Sequence, residues 1–238
     1  MSLTLGMLPS KGIVTPSDPN FANVDLLLHL NGTQGGQSFP DSGPFNRTMS
    51  LIGDVHTSTN QSQFGGSSGA FDNSLTGNYG CLYNDDAGNA NTNTQWTVEF
   101  WIRPTSLTGV PLQIGAGSGN RLYFNYSGSN IIATTAASSG FAHTIGFSSI
   151  TTSVWTHIAL ACNGADLYSF VNGVLKAHDN VTFSWKLDRQ ITIGSTPQAR
   201  NTTNKDKING YMDDFRYTNG VCRYTNTFSV PTAQYPDH

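Results

Sequence analysis

Short runs in which apolar and polar residues alternate recur from residue 21 to the end of the chain, and this period of two restricts the fold most strongly. Successive side chains of a β-strand point to opposite faces, so each run predicts a strand with one face buried. The clearest runs are residues 24–30, 96–104, 154–162, 167–177, 189–195 and 208–218. Many short strands without an intervening helical pattern predict a sandwich or a barrel.

Alternation also predicts which side chains face inward. In the first three runs these are Val24, Leu26, Leu28 and Leu30, then Val98, Phe100 and Ile102, then Val154, Ile158, Leu160 and Cys162. Pro104 is expected to end the second strand, because proline has no N–H for the strand ladder. Asn172-Gly173 predicts a β-hairpin, because a type I′ turn needs positive φ at both central residues.

The composition favours one domain with few helices. The chain of 238 residues contains a single Glu and five Lys, so the residues that usually cover exposed helix faces are scarce. A hydrophobic content of 37% in a chain of this length suffices for one large sandwich.

Residues 1–19 differ from the rest of the chain, because their aliphatic residues are interspersed with glycine and proline, which precludes a regular helix or long strand. One interpretation is a frayed terminus. The other is an extended arm whose aliphatic side chains dock on a neighbouring subunit or a larger assembly. The anchoring residues would be Leu3, Leu5, Met7, Leu8, Ile13 and Val14. On either interpretation, residues 20–238 form the folded domain.

Charge and motif content exclude several classes of partner. The net charge is -3 and the seven Arg residues are dispersed, so nucleic acid is not an expected partner. No apolar run approaches the roughly 20 residues of a membrane span, and the N-terminus lacks the pattern of a Sec signal peptide. We therefore expect no membrane insertion and synthesis in the cytoplasm without Sec export. Cys81, Cys162 and Cys222 lie far apart without CxxC spacing, which predicts free thiols.

A series of short strings between residues 19 and 237 carries a resemblance to a known family. The strings are LLLHLNGT (26–33), FPDSGPF (39–45), FGGSSGAFD (64–72), WTVEFWIRP (96–104), WTHIALAC (155–162), FVNGVL (170–175), ITIGS (191–195) and GYMDDFRYTNGVCRYTNTFSVPTAQYPD (210–237). In this order they resemble the concanavalin A-like, laminin G-like domains of bacteriophage structural proteins. The resemblance implies an all-β, two-sheet antiparallel jelly-roll sandwich.

The same resemblance implies a non-enzymatic protein of the virion surface, attached through its N-terminal arm. A capsid decoration, a head fibre and a tail or baseplate component all fit, with capsid or tail proteins as partners. Phage proteins of these kinds are commonly homo-oligomers, often trimers. The alternative function is a lectin-like module that recognises host surface glycans, because this fold carries lectins, glycosidases and adhesion modules alike.

A polysaccharide hydrolase is the remote alternative, and the carboxylate count opposes it. A retaining glycosidase on this fold needs two carboxylates, usually Glu, on either side of the scissile bond. Glu99 is the single Glu and has no acidic residue two or four positions away. A salt bridge within the sheet, to Arg103 or another basic residue, is the expected role of Glu99.

Asp213 is the acidic residue that most needs an explanation, because alternation places it on the core side with Tyr211, Phe215 and Tyr217. Backbone hydrogen bonds would compensate its charge. The family resemblance implies instead a structural calcium, held by Asp213 together with Asp41 of an early Asp-Ser-Gly loop. Calcium suits such a site because it accepts six to eight oxygen ligands in irregular geometry.

Glycan binding would need an exposed aromatic ring beside polar residues. The candidates are Tyr79, Tyr83, Tyr123, Tyr126 and Trp185, each of which also suits a core position. Recognition is expected at the polar loops, residues 33–47, 59–69, 84–95 and 195–207. The sequence does not rank the five aromatic residues.

Overall fold

The computed structural model of the protein describes seven stretches of the chain, residues 17–72, 79–85, 93–115, 121–136, 142–181, 190–201 and 206–238. The proposed anchoring residues Leu3, Leu5, Met7, Leu8, Ile13 and Val14 lie outside these stretches, as does Trp185. The N-terminal arm therefore stays a prediction. Asp18, near the end of the predicted arm, is buried against the folded domain.

The first sheet has eight antiparallel strands in the described residues, seven of them on one path and the eighth, β1, paired with β15. Along the path the strands are β13 (Val174–Asn180), β12 (Asp166–Val171), β11 (Thr156–Asn163), β6 (Gln95–Ser106), β15 (Asn209–Asn219), β4 (Ser68–Phe71) and β3 (Val55–Ser58), and β1 is Val24–Leu28. The two longest strands, β6 and β15, lie side by side at its centre.

The second sheet has seven antiparallel strands in the same described stretches. Their order is β10 (Ala142–Ser149), β9 (Asn130–Ala136), β8 (Arg121–Ser127), β7 (Leu112–Ile114), β14 (Ile191–Ile193), β5 (Cys81–Asn84) and β2 (Ser50–Ile52). The described helical segments are two 3-10 turns, Phe21–Asn23 and Pro197–Ala199. The predicted two-sheet, all-β jelly-roll sandwich is confirmed.

The core lies between the two sheets and is built from the predicted alternation. Most residues predicted to face inward belong to one hydrophobic cluster: Leu26, Leu28, Leu30, Val98, Phe100, Ile102, Ile158, Leu160 and Cys162. Three predictions were wrong. Val24 belongs to a separate cluster because a bulge follows it, Val154 is 49% exposed, and β6 continues past Pro104 to Ser106. None of the described helical segments has the length and apolarity that a membrane crossing requires.

Residues 220–238 lie across the outer face of the first sheet. The predicted hairpin holds this segment, because Asn172 and Gly173 both have positive φ and the Phe228 N–H donates to the Gly173 carbonyl at 2.9 Å. A Cβ on Gly173 would lie 2.2 Å from the Phe228 carbonyl oxygen. Only glycine fits so close an approach of two backbones. Residues 220–238 therefore cover part of the outer face.

A bulge in β15 changes the face on which Asp213 lies. Asp213 pairs with Trp101 and Arg216 pairs with Glu99, and Asp214 lies between them with a φ of 48°. Phe215 and Tyr217 accordingly join the core, as predicted, whereas Asp213 lies on the outer face with Trp101. The prediction that Asp213 shares the core side with Phe215 was wrong, because the bulge shifts the alternation by one residue.

Candidate functional site

The outer face of the second sheet carries a row of polar and aromatic side chains. Cross-strand pairing aligns them in the order Tyr83, Thr192, Gln113, Tyr123, Thr134 and Thr144. Their strand neighbours, among them Leu82, Leu122 and Phe124, belong to the core. The second sheet thus buries one face and presents a polar row on the other, as antiparallel sheets often do.

The middle of this row opens into a cavity of about 470 Å³, which we call the Tyr123 cavity. Strands β7 and β8 contribute Gln113, Arg121, Tyr123, Asn125 and Tyr126. The loop before β7 contributes Gly109 and Val110, and the loop after β14 contributes Thr196, Gln198 and Asp206. The cavity size is within the usual range for small-ligand sites.

Hydrogen bonds to Asp206 hold the wall of the Tyr123 cavity, one from the loop before β7 and one from within loop 195–207. The Val110 N–H donates to the Asp206 carbonyl at 3.0 Å, and the Thr196 hydroxyl donates to the Asp206 carboxylate at 3.2 Å. The Arg121 guanidinium lies 5.7 Å from the centre of the Tyr123 ring. The ring and the surrounding polar groups are therefore positioned before any ligand arrives.

Asn125 and Tyr126, which line this cavity, each have a buried polar atom without a hydrogen-bond partner among the described residues. The two atoms are Oδ1 of Asn125 and the hydroxyl of Tyr126. Burial raises the pKa of the Tyr126 hydroxyl, so this group stays protonated and can donate. Both atoms are buried, and an enclosed water molecule is the chemical group that such an acceptor and donor would accommodate.

Arg200 packs over the Tyr83 end of the polar row. Its guanidinium stacks 4.4 Å from the centre of the Tyr83 ring, donates to the Thr192 hydroxyl at 3.2 Å and pairs with Asp85 at 2.6 Å. Arg200 therefore stacks on the Tyr83 ring, whereas the Tyr123 ring lines the open cavity. Of the four aromatic candidates in the described stretches, Tyr123 and Tyr126 line this cavity, whereas the Tyr79 hydroxyl accepts a hydrogen bond from Asn209 at 3.1 Å.

The outer face of the first sheet holds a buried charge network. Glu99 is fully buried, and its carboxylate accepts hydrogen bonds from Arg216 at 2.7 and 3.0 Å and from the hydroxyls of Tyr224 and Tyr235 at 3.0 Å. His157 lies 3.4 Å from the same carboxylate. Glu99 forms the predicted salt bridge, and its partner is Arg216.

Asp18 completes this network from the start of the described chain. It accepts from Arg216 at 3.0 Å and from Arg223 at 2.7 and 3.0 Å. Burial would raise the pKa of Glu99, but the Arg216 charge and the His157 hydrogen bond lower that pKa far below its usual value. We call this cluster the Glu99 network. Its carboxylate is sealed from solvent and fully occupied, which suits a structural role.

The two residues predicted to bind calcium hold different loops. Asp41 accepts backbone hydrogen bonds from Leu27, Gly43 and Arg47 at 2.8 to 2.9 Å. Asp213 accepts from the backbone of Gln63 and Phe64 at 2.8 and 3.0 Å with one oxygen.

The other oxygen of Asp213 has no partner among the described residues. Burial, reinforced by the neighbouring charge of Asp214, raises the pKa of Asp213 to about 7. Calcium at Asp41 and Asp213 stays a prediction.

Sequence reasoning located part of the Tyr123 cavity. The predicted recognition loop 195–207 supplies Thr196, Gln198 and Asp206. It missed Gln113 and Arg121, whose single positions in short strands carry no distinguishing pattern. Cys81, Cys162 and Cys222 are free thiols, as predicted.

Comparisons with known proteins agree with this architecture. A botulinum neurotoxin serotype G binding domain superimposes with a TM-score of 0.62 at 17% identity, covering 85% of this chain and 49% of that one. Botulinum neurotoxin type C, whose cell entry is dependent upon interaction with two ganglioside molecules, gives a TM-score of 0.63 at 15% identity, with coverages of 86% and 49%. The chain spans about half the length of these neurotoxin chains.

A smaller structure matches over nearly its whole length. Domain 4 of AbnA, an extracellular GH43 arabinanase from Geobacillus stearothermophilus in complex with arabinotriose, has a TM-score of 0.58 at 14% identity, covering 84% of this chain and 94% of that one. Identities this low establish a shared fold. No significant match occurs among curated proteins. Residues 74–223, more than half of the chain, match a family profile, and the chain belongs to the concanavalin A-like lectin/glucanases superfamily.

Proposed function

We propose that the protein binds carbohydrate without catalysing a reaction, and that the Tyr123 cavity is its binding site. The observation that carries this proposal is an aromatic ring in an open cavity, surrounded by Gln113, Arg121, Asn125 and Asp206 on a polar sheet face. Sugars bind by stacking their C–H faces on aromatic rings and by hydrogen bonding through their hydroxyls.

The compared structures support a binding role. One neurotoxin depends upon gangliosides for cell entry, and the arabinanase domain is in complex with arabinotriose. The absence of catalysis is supported by Glu99, since the single Glu of the chain is buried in an ion pair with Arg216. A glycosidase would need a pair of carboxylates facing a substrate site.

A glycan array with the purified protein, followed by titration calorimetry on the best oligosaccharide, tests the proposal. We expect a dissociation constant between about 1 µM and 1 mM. Tyr123→Ala should weaken binding at least about tenfold, because a stacked ring supplies more than 1.4 kcal/mol. Reducing sugar should not be released from the bound polysaccharide.

Phe45→Ala is a matched control for Tyr123→Ala. Phe45 is an exposed aromatic residue with Arg47 over its ring at 5.6 Å, much as Arg121 lies 5.7 Å from the Tyr123 ring. This control should bind like the wild-type protein. Equal losses in both variants, or no glycan bound at millimolar concentration, would contradict the proposal.

We further propose that the protein is displayed on the surface of a bacteriophage particle as a homo-oligomer, attached to capsid or tail proteins by an arm that ends before Asp18. The string resemblance and the aliphatic residues of segment 1–19 support this. The ion pairs of Asp18 indicate that the arm should be removed as residues 1–16, which leaves the Glu99 network intact. The truncated protein should fold normally but be missing from purified particles by mass spectrometry. Incorporation of the truncated protein would contradict the arm.

A further inference from the structure

Three metal-ligating side chains meet at the edge of the first sheet. Asp54 immediately precedes β3, His56 lies within β3, and Asp72 immediately follows β4. Val55 and Phe71 are cross-strand partners in the core, so Asp54, His56 and Asp72 lie on the outer face. One nitrogen or oxygen atom from each of the three lies within 4.8 Å of the others.

Two of the three side chains in this cluster are buried. Asp54 is fully buried and His56 is 2% exposed, while Asp72 is partly exposed. The pairing of Val55 with Phe71 places Asp54 and Asp72 opposite each other on neighbouring strands. Like charges directly opposite destabilise a strand pair, and a cation bound by both carboxylates would offset that repulsion.

We propose that Asp54, His56 and Asp72 bind a divalent transition-metal ion, with Zn²⁺ as the best fit. An imidazole nitrogen combined with carboxylate oxygens suits zinc and its neighbours better than calcium, which prefers oxygen ligands alone. Nδ1 of His56 and Oδ1 of Asp54 share a hydrogen bond of 2.9 Å. A tetrahedral ion with bonds of about 2.1 Å places adjacent ligands roughly 3.4 Å apart, so the ion would replace this hydrogen bond after a shift of about 0.5 Å.

Such an ion would tie strand β3 to strand β4. β3 is the last strand on its side of the sheet, and its outer edge is bonded at Thr57 by the backbone of Gly35 and Gly36. Asp72 is near the surface, so the ion has an entry path from solvent. The site is independent of the Tyr123 cavity.

Titration calorimetry of chelator-treated protein with ZnCl₂ tests the proposal. We expect one ion per chain, and Asp72→Asn should weaken binding by more than the about 10–100-fold typical of losing an outer-shell partner. Asp166→Asn is the matched control, because Asp166 also contacts a histidine, His178 at 3.0 Å, but on an exposed strand pair. This control should bind like wild type. No binding, or the same affinity in Asp72→Asn, would overturn the proposal, as would a loss in Asp166→Asn.

Histidine ring NMR of the wild-type protein gives a readout that needs no variant. The chain has six His residues. One ring, that of His56, should shift when one equivalent of Zn²⁺ is added, while the rings of His143 and His178 stay unchanged. Shifts confined to the other rings would overturn the proposal even if Asp72→Asn failed to fold.

Discussion

The outer faces of the two sheets differ in what covers them. Residues 220–238 cover Glu99 on the first sheet, the backbone of Gln63 and Phe64 covers Asp213, and both carboxylates are completely buried. The second sheet is covered at one end by Arg200 and opens at the Tyr123 cavity. Both faces are polar, but the polar groups of the first bond mainly to each other, while the second leaves groups available to a ligand. The comparison indicates that the buried charged residues of the first sheet stabilise the fold, whereas the polar residues around the Tyr123 cavity are available for recognition.

Two buried carboxylates on the outer face of the first sheet have pKa values shifted in opposite directions. Glu99 lies against Arg216, and its pKa is far below the usual value. Asp213 accepts only backbone N–H groups among the described residues, and its pKa rises to about 7. An adjacent guanidinium therefore decides whether a buried carboxyl is ionised at neutral pH.

Removing the Glu99 charge should have the largest effect. Glu99→Gln leaves Arg216 buried without its closest counterion, and we expect a loss of about 3–5 kcal/mol in the free energy of unfolding. Urea unfolding at pH 7 measures it. The control Asp237→Asn removes an exposed carboxylate beside His238 and should change stability by less than about 0.5 kcal/mol. Similar values for both variants would contradict a structural role of the Glu99 network.

Asp213 should act on stability with the opposite pH dependence from Glu99. Its pKa in the folded state, about 7, exceeds the ordinary value of 3.8, so the native state holds an extra proton between these pH values. The contribution of Asp213 to the free energy of unfolding is therefore fully present below about pH 4 and is lost as the pH rises through about 7. The pKa of Glu99 is lowered, so Glu99 adds its full contribution to the free energy of unfolding above about pH 4.5, its ordinary pKa. That contribution is lost as the pH falls below this value.

The variant Asp213→Asn isolates this effect. Relative to wild type, it should gain on the order of 3–4 kcal/mol between pH 4 and pH 8, because three pKa units correspond to that free energy. Asn retains an oxygen that can accept from Gln63 and Phe64. Unfolding measured across this pH range provides the check. A constant difference between variant and wild type would contradict the raised pKa.

The sequence predicted the inward faces of β6 and β11 because strict alternation is a local property. The sequence could not predict the bulge at Asp214, because the extra residue of a bulge interrupts the alternation and has no sequence pattern of its own. Other members of the Glu99 network also escaped prediction, because Asp18, which pairs with Arg216, and Tyr235, which donates to Glu99, are far apart in the sequence. Tyr83 and Tyr123 occupy equivalent outward positions, and only the packing of Arg200 separates them.

The contact of residues 220–238 with the first sheet depends on Gly173, and its loss should have an intermediate effect. Gly173→Ala places a side chain in a left-handed conformation and against the Phe228 carbonyl, which should cost about 2–4 kcal/mol. Gly164→Ala is the control, because Gly164 has a similar φ of 72° but open space around its Cβ. This control should cost about 1–2 kcal/mol. Equal losses would mean that the contact with Phe228 does not hold the segment.

The smallest effect should come from removing one hydroxyl at each face. Tyr235→Phe deprives Glu99 of one donor and leaves Nε2 of His157 without its 2.9 Å partner, and should cost about 1–2 kcal/mol. Tyr123→Phe makes the same change at the cavity, where water can replace the hydroxyl, and should stay within about 0.5 kcal/mol. Thermal unfolding of both variants measures the difference. A cost at Tyr123 as large as that at Tyr235 would mean that the cavity residues serve the fold, and the distinction between the two faces would be lost.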